Sequence, residues 1–365
     1  MGEAFKNMIN EGTLTEFAAC VKKVYEAFPV DEFVKTTMDE TWENLELKAR
    51  GNKICVTLHK FLPSDYKEAI SILDEVIKLN SDGFFCLIFP TYVEMYGLDE
   101  KYWDLSMAAL ARYTQYGSSE FAVRPFIINH EAKMMAQMYE WSKHESEHVR
   151  RLSSEGCRPL LPWGQVLPNL KADPSPILPI LTQLKADPSV YVRKSVANNL
   201  NDISKNHPEL VAKLAREWYG ENTDTNWIVK HGCRTLLKKA NRDVLALFGY
   251  EDATSVEVSD YRVDTPSIQI GADMSFSFTI TVTDAMKVRL EYGIDYVKAN
   301  GKRNRKIFQI SESSFKANTK KAYTKKHSFA DVSVRKHYPG IHAVTLIVNG
   351  TERGTLEFEV QNGNI

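Results

Sequence analysis

The chain has 365 residues, 43% of them hydrophobic, which is enough to bury a sizeable core and, by length, to form two domains. A net charge of −1 gives no overall attraction to a polyanion, the five cysteines are odd in number and lack metal spacing, and no run approaches the ~20 apolar residues of a membrane span. Scattered cysteines and an N-terminus without an apolar signal core predict reduced thiols in a soluble cytoplasmic protein with no membrane partner.

Residues 1–140 read as helices. Glu3 to Tyr25 carries Leu14, Phe17, Ala18, Val21 and Val24 near the helical period, Phe33 to Leu62 continues the pattern, and Asp65 to Leu79 is amphipathic. Phe84 to Tyr96 is aromatic-rich and predicted buried, and Tyr102 to Arg112 forms another helix. Paired amphipathic helices with short breaks suit an α-solenoid, in which each hairpin buries its face against the next. At Gly117-Ser118-Ser119-Glu120, either serine can cap a helix starting near Glu120, with Pro125 in its first turn. A glutamate there also complements the helix dipole, so its position alone assigns it no chemistry.

Two similar units follow. His144 to Gly156 aligns with Ala186 to Leu200, matching Val149-Arg150-Arg151 to Val192-Arg193-Lys194 at a period of about 43 residues, which falls in the range of HEAT repeats. Asp187 is predicted to cap the second helix with Pro188 in its first turn. The basic pair and the polar residues Glu155, Asn198 and Asp202 are then left to a concave face. A third copy spans Thr225 to Leu237, with Val229-Lys230 aligned to Val192-Arg193. Successive copies would present Arg151, Arg158, Arg193, Lys194, Lys230 and Arg234 as a track for phosphates. Between copies, Pro159 to Pro179 is a stiffened loop. Its Trp163 either projects into the groove or plugs the core between repeats.

Glu251 to Ser255 reads as a linker, dividing the chain into a helical domain, 1–253, and a sheet domain, 256–365. From Val256 the period changes to two. Ser267 to Ile270, Met274 to Val282, Lys287 to Val297, Lys306 to Ser311, His327 to Val334, Gly340 to Val348 and Gly354 to Val360 are the expected strands, with turns at Asn300-Gly301, Pro339-Gly340 and Asn349-Gly350. About seven short strands suit an Ig-like sandwich. The fold class is therefore mainly α: a HEAT-like solenoid followed by a small β-sandwich. Met286 to Gly340 holds fourteen Lys or Arg against four Asp or Glu, so the sheet domain is the basic part of a balanced chain. Lys302, Arg303, Arg305 and Lys306, or Lys320-Lys321 and Lys325-Lys326, are candidate anion contacts, although a solvated lysine-rich sheet would look the same.

Phosphate-loop, dinucleotide and C-x-x-C signatures are absent. His144-Glu145-Ser146-Glu147-His148 fits H-E-x-x-H, but Arg151 and Ser154 stand where the longer zinc motif wants Gly and a third His. No metal or cofactor is expected, and His148 is assigned to a phosphate contact.

Three segments together resemble one family. They are Gly117-Ser118-Ser119-Glu120-Phe121-Ala122-Val123-Arg124-Pro125; Glu147 to Pro159 with Leu161-Pro162-Trp163; and Lys185-Ala186-Asp187-Pro188 through Lys205. They resemble the AlkC branch of the HEAT-repeat DNA alkylation-repair glycosylases, some of which carry a C-terminal Ig-like domain. The likeness covers roughly residues 1 to 250 and is sharpest between 115 and 210. It implies removal of cationic bases such as 3-methyladenine and 3-methylcytosine from duplex DNA without a deep pocket, by a monomer. It also implies that Glu120, at the family's acidic active-site position, acts with Trp163, Glu155 and Asp202. His148, Arg151, Arg158, Arg193, Lys194, Asn198, Lys230, Arg234, Lys302, Arg303 and Arg305 would contact the DNA. The rival reading is a non-catalytic HEAT scaffold that grips DNA and cuts nothing.

Overall fold

The structure, a computed structural model, describes residues 5–80, 84–332 and 336–363. It divides into two compact units: residues 1–206 with 220–232, and residues 207–219 with 233–365.

In the first unit, α1 (Glu11–Val24) packs on α2 (Val30–Thr37) and α4 (Tyr66–Leu79), α3 (Leu47–Phe61) on α2 and α5 (Ile88–Tyr96), and α6 (Trp103–Tyr113) on α4 and α5. Asn10 begins α1 with a reciprocal capping box to Thr13, and Asp65 caps α4 by accepting from the Glu68 N–H. The helix expected from Glu3 therefore starts at Glu11, after a short 3-10 turn over Phe5–Met8; Glu3 itself lies outside the described residues. The long helix expected over Phe33 to Leu62 breaks between Thr37 and Leu47, where Trp42 is buried under the Arg50 guanidinium. The aromatic stretch is buried as its composition implied, with Phe89, Tyr92 and Val93 fully enclosed.

Then come α7 (Arg124–Asn129), α8 (Glu131–Trp141), α9 (Glu147–Glu155), α10 (Pro168–Ala172), α11 (Leu178–Leu184) and α12 (Val190–Ile203). After α13 (Pro208–Trp218), which belongs to the second unit, α14 (Thr223–Gly232) returns to the first. The aligned copies are α9, α12 and α14, and α12 packs against both of the others. Gly232 permits one of these approaches, because a Cβ there would stand 2.9 Å from the Leu200 side chain. The copies are also stitched by a repeated ion pair. Arg150 donates to the His144 and Glu145 carbonyls and pairs with Asp187, and Arg193 donates to the Asp187 and Pro188 carbonyls and pairs with Asp224. Asp187 is not the helix cap that its place before Pro188 suggested. Ser189 caps α12, and Asp187 accepts the Ser189 N–H while holding Arg150.

Among its described residues the second unit holds α13, α15 (Arg234–Lys238), α16 (Arg242–Leu247) and eight strands. The strands are β1 (Val256–Val263), β2 (Ser267–Gln269), β3 (Asp273–Val282), β4 (Met286–Val297), β5 (Arg303–Phe315), β6 (Thr319–Ser328), β7 (Gly340–Val348) and β8 (Thr351–Gln361). They form sheets ordered β1-β3-β6 and β2-β8-β7-β4-β5, with Phe276, Phe278, Tyr292, Phe329 and Phe358 in the shared core. The strand expected over His327 to Val334 begins eight residues early as β6 and stops at Ser328, and residues 333–334 lie outside the described residues. Residues just before the sandwich are bound to it: Lys287 donates to the Phe248 carbonyl and Asn349 to that of Glu251.

Candidate functional site

The helix expected at Glu120 begins four residues later. Residues 120–123 form a turn, and Pro125 sits in the first turn of α7. Ser118 organises that turn, its Oγ accepting from the Glu120 N–H at 3.3 Å and donating to Glu120 Oε2 at 2.7 Å. The same carboxylate oxygen meets Arg151 Nη1 at 2.6 Å, and Arg151 also donates to Ser118 Oγ at 2.9 Å. Glu120 is thus held from two sides near the surface, with 14% of its side chain exposed.

From Arg151 an alternating chain of charges runs inward. Arg151 Nη2 lies 3.5 Å from Glu155 Oε1, which accepts from Arg158 Nη1 at 2.6 Å. Arg158 Nε then donates to Asp202 Oδ2 at 2.8 Å, and Asp202 Oδ1 meets Lys205 at 2.8 Å. Glu155, Arg158 and Asp202 are all buried. Burial opposes the charge on Arg158, but its hydrogen bond to Asp202 and the two carboxylates carry the net shift upward, so the guanidinium stays charged. The three predicted carboxylates thus belong to one network, with Glu120 as its outer end.

Trp163 occupies the opposite extreme of burial, at 96% exposed. Gly164 N–H closes a turn onto the Leu161 carbonyl, with Pro162 second and Trp163 third at φ 61°. That arrangement is a type II turn, whose third position favours glycine. A tryptophan there costs on the order of 1 kcal/mol of backbone strain and leaves its ring in water, so it is not a core plug. What holds the loop is Arg124, which is buried against the loop's own carbonyls: Gln165 at 2.5 Å, Gly156 at 2.9 Å and Arg158 at 3.0 Å. Burial lowers the Arg124 pKa to about 10, still well above neutrality. Trp163 and Ser118 line one cleft of about 230 Å³, so the indole and the partner of Glu120 share a surface recess.

The predicted DNA contacts fall into two groups. His148 is half-buried with its ring edge-on to Tyr191 at 5.7 Å, while Lys194, Lys230 and Lys302 are exposed and Asn198 and Arg234 half-buried. Arg158, in contrast, is enclosed by Glu155 and Asp202, and Arg193 is spent on carbonyls and Asp224. Arg303 pairs with Glu357, and Arg305 with Asp295 and Glu352. Within the expected phosphate track, Arg158 and Arg193 are therefore bound inside the protein. The lysines of β6 differ: Lys320, Lys321 and Lys326 are exposed and Lys325 half-buried on an edge strand, where lysine also blocks pairing with other chains. His144 precedes α9 and accepts the Ser146 N–H on Nδ1, so the two histidines of H-E-x-x-H do not share a helical face. Among the described residues no cluster of His, Cys, Asp and Glu is arranged to hold a metal, and no helix is long and apolar enough to cross a membrane. All five cysteines are free thiols, and burial pushes that of Cys157 up to about 12.

Three residues were missed by sequence reasoning: Ser118 as the partner of Glu120, Arg124, and Tyr191, whose ring lies 4.8 Å from the Arg151 guanidinium. Tyr191 had a signal, since it aligns with His148 in the repeat. Arg124 had none, because its partners are backbone carbonyls far along the chain.

Residues 114–236 match the family described as DNA alkylation repair enzyme, and residues 257–362 match the C-terminal Ig-like domain described for the uncharacterised protein YhaZ. The chain is 48% identical over 355 residues to the "Uncharacterized protein YhaZ" of Bacillus subtilis (strain 168), spanning 97% of this chain and 99% of that protein. Among solved structures, it is similar to the alkylpurine DNA glycosylase AlkC of Pseudomonas fluorescens bound to DNA containing an abasic site analog. The TM-score is 0.94 at 38% identity, covering 98% of this chain and 100% of that one.

Proposed function

The chain belongs to the AlkC-type DNA alkylation repair enzymes that carry a C-terminal Ig-like domain, and on that basis we propose that it is a monofunctional DNA glycosylase releasing cationic N-methylated bases, 3-methyladenine and 3-methylcytosine, from duplex DNA. The observation that supports this reading is a recess lined by an indole held out in water on a strained turn and by Ser118, whose hydroxyl, with Arg151, fixes the carboxylate of Glu120. A methylated base already carries positive charge, so it leaves readily as the deoxyribose gains oxocarbenium character. The protein then has to supply fixed negative charge near the sugar, an aromatic face and a positioned water. Glu120 faces the sugar in this reading, Trp163 packs against sugar or base, and the base need not be flipped into a pocket. Glu155 and Asp202 set the field behind Glu120 through Arg151 and Arg158, and Asp202 shares with Glu120 the placing of the water.

Incubating the protein with methylated DNA and separating the released bases tests this directly. Free 3-methyladenine or 3-methylcytosine with intact strands is expected. If no base is released, only a non-catalytic grip on DNA is left.

Phosphate contacts are assigned to Lys194, Lys230 and Lys302, to His148, and to the β6 lysines. Because Lys287 and Asn349 bind residues before the sandwich, charge removal is a cleaner test than truncation at residue 256. Replacing Lys320, Lys321, Lys325 and Lys326 with glutamine should weaken DNA binding and flatten the log K against log salt slope by up to about 3.6. An unchanged slope would remove β6 from the interface.

A further inference from the structure

The cleft beside Trp163 is more than a rim for the catalytic residues. It runs back between α3 and α5, with Leu47, Gly51, Ile88, Pro90 and Phe121 on its walls and Ser118, the partner of Glu120, at one end. Between those walls the lining also carries Asn52 and Thr91 and two charged groups, the half-buried Glu94 of α5 and the exposed Lys48 of α3. Burial raises the pKa of Glu94 and the charge of Lys48 opposes the rise, as expected for a carboxyl facing an apolar space with one cation in range.

Gly51 shows that the space is kept open. It sits within the fifteen-residue helix α3, where glycine weakens the helix relative to alanine. Neither backbone nor packing requires it there, since its φ is not in the left-handed region and an added Cβ would meet only Ile88 Cδ1, at an ordinary 3.7 Å. Gly51 lines the cleft, so a side chain as long as leucine there would enter it, whereas a single Cβ would not.

We infer that this cleft is a binding site for the free N-alkylated purine released by the reaction, held between its apolar walls and Trp163 with Glu94 accepting from the amino edge of the base. The inference rests on the proposed function and adds a product site to it. A flat heterocycle suits an apolar slot bordered by an indole, and an amino-bearing, basic ring suits a lone carboxyl. The end of the cleft at Ser118 adjoins Glu120, so a base cut from a sugar at Glu120 has a short path into it. Capture there would keep the base from lingering against the abasic sugar.

The test is equilibrium dialysis of the full chain, without DNA, against free 3-methyladenine. Saturable binding of one base per chain is expected, weakened about tenfold or more by Gly51→Leu, which fills the slot, and several-fold by Glu94→Gln, while Gly51→Ala binds as the unaltered chain does. Gly51→Leu replaces a helix-weakening residue with a helix-favouring one, and Glu94→Gln reads the same site without altering its volume. Absence of saturable binding, or binding that Gly51→Leu leaves unchanged, overturns the inference. Excision of methylated DNA by the unaltered chain is measured alongside. A chain that releases base but does not bind it overturns the product site alone. A chain that releases none overturns the proposed function and the product site with it.

Discussion

Glu120→Gln should slow base excision on the order of a hundredfold in single-turnover assays while leaving DNA affinity nearly unchanged. Glutamine keeps the size of the side chain and can still meet Ser118 and Arg151, so the turn over residues 120–123 should survive. What disappears is the negative charge at the outer end of the network, and one well-placed electrostatic group is typically worth about 3 kcal/mol in a barrier. The change also frees Arg151 from its outer carboxylate and adds net positive charge, which if anything favours the polyanion. Loss of rate and affinity together would mean that Glu120 shapes the binding surface and does not act on the sugar. An unchanged rate would remove it from the reaction.

Asp202→Ala should act on stability first. The carboxylate is 2% exposed and pairs with Arg158, whose side chain is 8% exposed, so its removal strands a buried guanidinium with Glu155 as its remaining partner. Breaking a buried ion pair from one side costs about 3 kcal/mol or more, because the surviving charge stays desolvated. Urea unfolding followed by the helical circular dichroism signal should show the midpoint falling accordingly. A loss below about 1 kcal/mol would mean that water reaches Arg158 and the network is looser than its distances imply. The contrast with Glu120 is informative: one carboxylate is held at the surface, where its charge can face a ligand, and the other is enclosed, where it fixes the loop after α9 against α12. Asp202→Asn, which retains an acceptor for Arg158, separates the two roles. Recovered stability with slow excision would assign Asp202 a share in the chemistry, and recovery of both would leave it structural.

Much of this protein can be read from residue order. Helical and strand periods are local properties, so α4, α6, β3 and β7 fall within a residue or two of where apolar spacing puts them. The repeat was legible for the same reason, because Val149 and Val192 face their neighbours at the same point of each unit. Acidic residues at Glu120, Glu155 and Asp202 and the turn that bears Trp163 could be named as a set before any coordinates. Their ranking could not. Whether an arginine meets a phosphate or a carbonyl depends on which chain segments fold over it, and spacing is blind to that. Arg151, Arg158 and Arg193 all sit at repeat positions that suggested a phosphate track, yet they are engaged by Glu120, Glu155, Asp202 and Asp224. Arg124 holds the Trp163 loop through three carbonyls about 30 to 40 residues away, and Gly51 opens a cleft against a residue of another helix. These outcomes follow from desolvation: a charge or a void acquires its role only when distant parts of the chain close around it.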